Sequence, residues 1–119
     1  MATILVVEDE ALIRDTLKDF LQMSRYTVVV ASDSATALAA YRATPTDLVI
    51  TDMLTTTKNG KQLIADLFHE FPDVKIIAMS GSPAPLDAAR QLGVHSTLTK
   101  PFELDELLEL VRQLLGDGD

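Results

Sequence analysis

The sequence predicts an α/β protein built on an open, doubly wound parallel sheet, and three observations carry that expectation. Short runs of β-branched and aliphatic residues alternate five times with segments of helical periodicity. The first four runs lack polar alternation, so they suit strands covered on both faces, the habit of parallel sheets. The connections are short and nothing repeats, which leaves right-handed crossovers as the way to join successive strands. At 119 residues the chain has the size of one domain. Such a length hides about two-thirds of the surface its unfolded form exposes. One domain over residues 1–119 is therefore expected, with no output domain after it.

The first strand is Ile4–Val7, and the helix after it carries Ile13, Leu17, Phe20 and Leu21 at i, i+4, i+7 and i+8, one continuous stripe. Val28–Val30 forms the second strand. The next helix starts after Asp33, a good capping residue, and carries Leu38 and Tyr41. It stops near Pro45, which disfavours the helical conformation in Thr44. Leu48–Ile50 is the third strand; Leu63, Ile64, Leu67, Phe68 and Phe71 mark a helix that ends before Pro72. Val74–Ala78 is the fourth strand, followed by a short helix from Leu86 to Leu92 that closes at Gly93, a residue suited to a left-handed C-cap. Ser96–Thr99 is a weaker fifth strand. Leu104, Leu107, Leu108, Val111, Leu114 and Leu115 give the last helix an apolar face, with Glu103, Asp105 and Glu106 at its positive end. Pro101 suits the first position of that helix.

Charge and composition exclude several functions. The formal net charge is −8, which repels nucleic-acid phosphates and anionic membrane surfaces, so no nucleic-acid or membrane partner is expected. Cysteine is absent, which removes disulfides, zinc fingers and thiol chemistry. The N-terminus lacks a basic segment, and its apolar run stops after four residues, so neither a signal peptide nor a membrane span is expected. A cytoplasmic location follows as an expectation.

In open α/β sheets the functional crevice lies beyond the carboxyl ends of the strands. Glu8, Asp9 and Glu10 follow the first strand, Asp52 the third, Ser80 and Gly81 the fourth, and Lys100 and Pro101 the fifth. Each group alone has an ordinary explanation: carboxylates complement a helix start, Ser80-Gly81-Ser82-Pro83 makes a turn, and Lys100 snorkels. Together they mean more. Converging carboxylates repel one another unless a hard divalent cation sits among them, and Mg2+ is the natural candidate. A lysine and a hydroxyl in the same crevice suit the oxygens of a transferring phosphoryl group.

In order and spacing, Ile4-Leu5-Val6-Val7-Glu8-Asp9-Glu10, Asp47-Leu48-Val49-Ile50-Thr51-Asp52, Ile77-Ala78-Met79-Ser80-Gly81 and Lys100-Pro101-Phe102 resemble the CheY-like receiver domain of two-component response regulators. The resemblance runs the whole length. It implies a flavodoxin-like three-layer sandwich of (βα)5 type with sheet order 2-1-3-4-5. It also implies that Asp52 accepts the phosphoryl group, that Asp9 holds Mg2+ directly and Glu8 through water, and that Asp52 and Leu54 complete the metal set. Ser80 and Lys100 would bind the transferred group, and Gly60, eight residues after Asp52, also matches.

Two departures stand out. Thr55 and Thr56 replace the family's usual methionine and proline, and Thr97 stands where an aromatic ring usually reports phosphorylation. Activation is therefore expected to pass through Ser80-Gly81-Ser82-Pro83 and the helix entered after Pro85. The implied partners are a sensor histidine kinase or a histidine phosphotransfer protein, and a downstream protein; the chain itself is expected to be a monomer or weak dimer. It would turn over no free substrate.

Alternatives are a phosphate sink or shuttle, a receiver-like domain that takes no phosphate, and a haloacid-dehalogenase-type phosphatase. The last needs a second aspartate where Leu54 stands. A flavodoxin-type carrier would bring its flavin phosphate against Glu8, Asp9 and Glu10, which repel it. His69 before Glu70 is discounted as a phospho-donor box, since short motifs arise by chance. His95 reads as a solvated loop residue.

Overall fold

The computed structural model describes residues 2–53 and 60–116. Strands and helices alternate strictly: β1 (Thr3–Val7), α1 (Ala11–Met23), β2 (Thr27–Ala31), α2 (Ser34–Ala43), β3 (Leu48–Asp52), α3 (Gly60–Glu70), β4 (Ile76–Ser80), α4 (Pro83–Leu92), β5 (Ser96–Thr99) and α5 (Leu104–Leu115). All pairings are parallel, in the order β2-β1-β3-β4-β5. The order reverses at β1, which lies between β2 and β3, and a crevice opens there above the strand ends.

Alternation along the strands divides the core in two. Leu5, Val7, Val49, Ile76 and Ala78 face one side, where they meet Ala37 and Tyr41 of α2, Leu63, Ile64 and Leu67 of α3, and Leu86 and Ala89 of α4. Ile4, Val6, Leu48, Ile50, Ile77 and Met79 face the other, against Leu17 and Leu21 of α1 and Leu107 and Val111 of α5. Every residue of β3 and β4 is buried, because these strands have neighbours on both edges and helices on both faces.

Several local expectations need correction. The second run is not covered on both faces: β2 is an edge strand with Thr27 and Val29 exposed. β4 begins at Ile76, since Val74 lies in a turn that its N–H closes on the Phe71 carbonyl at 3.0 Å. Phe71 itself lies just past α3. α4 starts three residues ahead of Leu86, at Pro83 behind the N-cap Ser82, because proline fits the first helical turn without needing its missing N–H. Pro101 does not open α5. It follows a cis peptide bond after Lys100, and Glu103 caps the helix through a reciprocal pair of bonds with Glu106.

Other ends behave as read. The Asp33 side chain accepts the Thr36 N–H at 2.7 Å, and α4 closes at Gly93 with φ 103°. No helix among the described residues is long and apolar enough to cross a membrane.

Candidate functional site

β1 ends at Val7, and the Glu8 N–H continues toward β2 by donating to the Ala31 carbonyl at 3.1 Å. This places the Glu8 side chain inside the molecule, fully buried, while Asp9 stands half-buried at the crevice wall. Asp52, the last residue of β3, is 7% exposed. The Lys100 N–H donates to the Ser80 carbonyl at 2.9 Å, so the segment after β5 is tied to the end of β4. From there the Lys100 side chain crosses the strand ends.

Its ammonium Nζ donates to Glu8 Oε1 and to Asp52 Oδ2, each at 2.7 Å. Glu8, Asp9 and Asp52 each turn a carboxylate oxygen inward, all within 4.8 Å of one another. One ammonium cannot balance three carboxylates, and oxygen ligands at this spacing suit a hard divalent ion. Burial pushes the Glu8 carboxyl up from the usual 4.5 to about 7, a rise that the lysine's hydrogen bond and charge only partly oppose. Burial pulls the Lys100 ammonium down, but its bonds to Asp52 and Glu8 outweigh this and hold it above its ordinary value.

Ser80 is buried at the end of β4, and its hydroxyl oxygen accepts the Ser82 N–H at 3.1 Å. The hydroxyl thus grips the loop that leads into α4. Gly60 supports the site from behind. Its N–H donates to the Met53 carbonyl at 2.8 Å, and a Cβ placed on it would lie 2.8 Å from the Asp52 carbonyl oxygen. Only glycine lets α3 start this close to the end of β3.

The structure therefore brings together Glu8, Asp9, Asp52 and Lys100, with Ser80 on the neighbouring strand end. Leu54 lies outside the described residues, as do Thr55, Thr56 and Thr57. Thr97 is not idle: its Oγ1 accepts from Arg90 of α4 at 2.7 Å, and Arg90 also pairs with Asp87 at 2.8 Å. His95 is exposed but bonded, for its Nδ1 accepts the Ile76 N–H at 3.3 Å and its own N–H donates to the Ile76 carbonyl. Sequence reasoning missed Arg14, whose Nη1 donates to the Glu8 carbonyl at 3.1 Å. Its one sequence signal is a cation near the start of a helix, where an acid is favoured.

A family model for the response regulator receiver domain matches residues 4–112. The alkaline phosphatase synthesis transcriptional regulatory protein SphR of Synechococcus elongatus is 36% identical over 123 residues, covering 94% of this chain and 48% of SphR. The DNA-binding transcriptional regulator NtrC of Rhizobium meliloti is 33% identical, covering 98% of this chain and 24% of NtrC. The chain thus spans about half of one relative and a quarter of the other. Among solved structures, the response regulator TrrA of Thermotoga maritima, in complex with Mg(2+)-BeF, superposes with a TM-score of 0.90 at 32% identity, covering 97% of this chain and all of TrrA. The chemotaxis protein CheY4 of Vibrio cholerae gives the same TM-score at 26% identity, covering 97% of this chain and 99% of CheY4.

Proposed function

The chain belongs to the response regulator receiver domain family, the phospho-accepting modules of two-component signalling, and on that footing we propose that Asp52 is the acceptor of a phosphoryl group from the phosphohistidine of a sensor kinase or phosphotransfer protein. The observation that carries this reading is the Lys100 ammonium lodged 2.7 Å from both Asp52 and Glu8, with Asp9 completing the acidic set.

A carboxylate oxygen of Asp52 attacks phosphorus. The new P–O bond forms as the donor's N–P bond breaks, and that electron pair returns to the imidazole. Glu8, Asp9, Asp52 and Leu54 would hold Mg2+, which supplies positive charge to the phosphoryl oxygens and lets the carboxylates approach them. Lys100 already sits beside Asp52 and pairs with the added charge. The Ser80 hydroxyl keeps a proton to donate to a phosphoryl oxygen, and turning toward it would loosen its hold on the Ser82 N–H. In this way charge at Asp52 reaches α4, where a partner protein reads it.

The same reading takes residues 1–119 as one receiver unit in the cytoplasm, a monomer or weak dimer that turns over no free substrate. Incubation with a small phospho-donor and Mg2+, followed by intact mass, tests it. One added phosphoryl group is expected, and none in Asp52→Asn. Uptake by Asp52→Asn at the wild-type rate would reassign the acceptor.

A further inference from the structure

α1 begins against a common electrostatic preference. The first turn of a helix favours acids, yet α1 has none there and places Arg14 one residue beyond its third position. Its N-cap, Glu10, makes no side-chain capping bond. A departure of this kind next to a functional crevice calls for a compensating role. The half-buried Arg14 side chain supplies one by turning back along the helix, so that Nη1 donates to the Glu8 carbonyl at 3.1 Å.

That bond completes a set of ties on one short segment. The Glu8 N–H is held by the Ala31 carbonyl on the β2 side. Glu8 Oε1 is held by Lys100, and Glu8 Oε2 accepts the Glu10 N–H at 3.4 Å. The Glu8 carbonyl belongs to the peptide that joins Glu8 to Asp9, so fixing its direction also fixes where the Asp9 Cα departs. Without the guanidinium the Glu8 carbonyl loses that donor, and the peptide can tilt between its tied neighbours, carrying the inward oxygen of Asp9 with it.

We propose that Arg14 is a positioning residue for the divalent cation: by pinning the Glu8–Asp9 peptide it holds the Asp9 carboxylate in register with Glu8 and Asp52. This rests on the reading of the acidic set as the Mg2+ site. Groups that orient ligands without touching the metal are worth about 10- to 100-fold in affinity.

The test is an Mg2+ titration of the unphosphorylated protein, followed by the amide resonances of Glu8, Asp9 and Glu10, in wild type, Arg14→Met and Arg14→Lys. Methionine keeps an apolar stem and removes both charge and donors; lysine keeps the charge and loses the planar fork. Arg14→Met should bind Mg2+ about tenfold more weakly, with a metal-free melting temperature near wild type. Arg14→Lys should stay clearly weaker than wild type. A merely structural arginine would lower the metal-free melting temperature and leave Mg2+ affinity unchanged, which overturns the proposal. Tighter Mg2+ binding in Arg14→Met than in wild type also overturns it, because the guanidinium would then act only as a cation that repels Mg2+. Should wild type itself show no Mg2+-dependent shift at these amides, the site assignment fails and the inference with it.

Discussion

Replacing Glu8 by glutamine should stabilise the metal-free protein at neutral pH, although it deletes half of a buried ion pair. In the unfolded chain Glu8 titrates near 4.5, and in the fold near 7. Below pH 4.5 both states are protonated and the residue costs nothing. Between the two values the folded state holds the proton more tightly than the unfolded state, so stability falls as pH rises; above 7 the loss is complete. Each pKa unit corresponds to about 1.36 kcal/mol, which makes the full penalty about 3 kcal/mol.

Glutamine keeps the shape of the protonated acid, and its Oε1 can still accept from Lys100 at the position Glu8 Oε1 now holds, while its NH2 gives up only the long 3.4 Å bond from the Glu10 N–H. With an unfolding entropy of about 2.1 cal/mol/K per residue, a chain of this length should gain about 10 °C in melting temperature at pH 7.5. Melts of both proteins without Mg2+, from pH 4.5 to 8, check the reasoning. The gap should be small at pH 4.5 and widen toward pH 7.5. Parallel curves would refute burial as the cause of the raised Glu8 carboxyl. With Mg2+ present the gap should narrow, since a cation favours the ionised acid.

Gly60→Ala gains up to about 1 kcal/mol in helix propensity, but its Cβ would lie 2.8 Å from both the Asp52 carbonyl oxygen and the Met53 Cα. Backbone cannot yield cheaply, so urea unfolding should show a net loss of about 2 kcal/mol; unchanged stability would mean that α3 shifts freely. Asp9→Asn should lose most of the Mg2+-induced rise in melting temperature, while an undiminished rise would remove Asp9 from the metal set. Thr97→Val should cost under about 1 kcal/mol, because Arg90 is more than half exposed. In that variant the amide shifts of residues 83–92 on adding Mg2+ and a phosphoryl mimic should persist, since the Ser80 hydroxyl still meets the Ser82 N–H. Their disappearance would place the signal in the Arg90–Thr97 bond instead.

The sequence by itself determined the alternation of strands and helices and the strand ends that carry polar groups. These depend on near neighbours. Asp33 caps α2 through a residue three positions on, Gly93 closes α4 by its own backbone freedom, and the apolar stripes of α1 and α5 repeat within a few turns. The order of Glu8-Asp9, Asp52, Ser80 and Lys100 was legible as a site because a parallel sheet delivers every strand end to one edge.

Tertiary structure decided what local patterns could not. Val28–Val30 reads like a buried strand, yet it pairs on one side only, and an edge position depends on which strand joins which. His95 and Arg14 each found a backbone partner that no spacing rule announces. The charge state of Glu8 depends on burial, and Lys100 meets it across 92 residues of sequence. Such contacts arise because five registers add up across the sheet, so their geometry belongs to the assembled fold and not to any one segment.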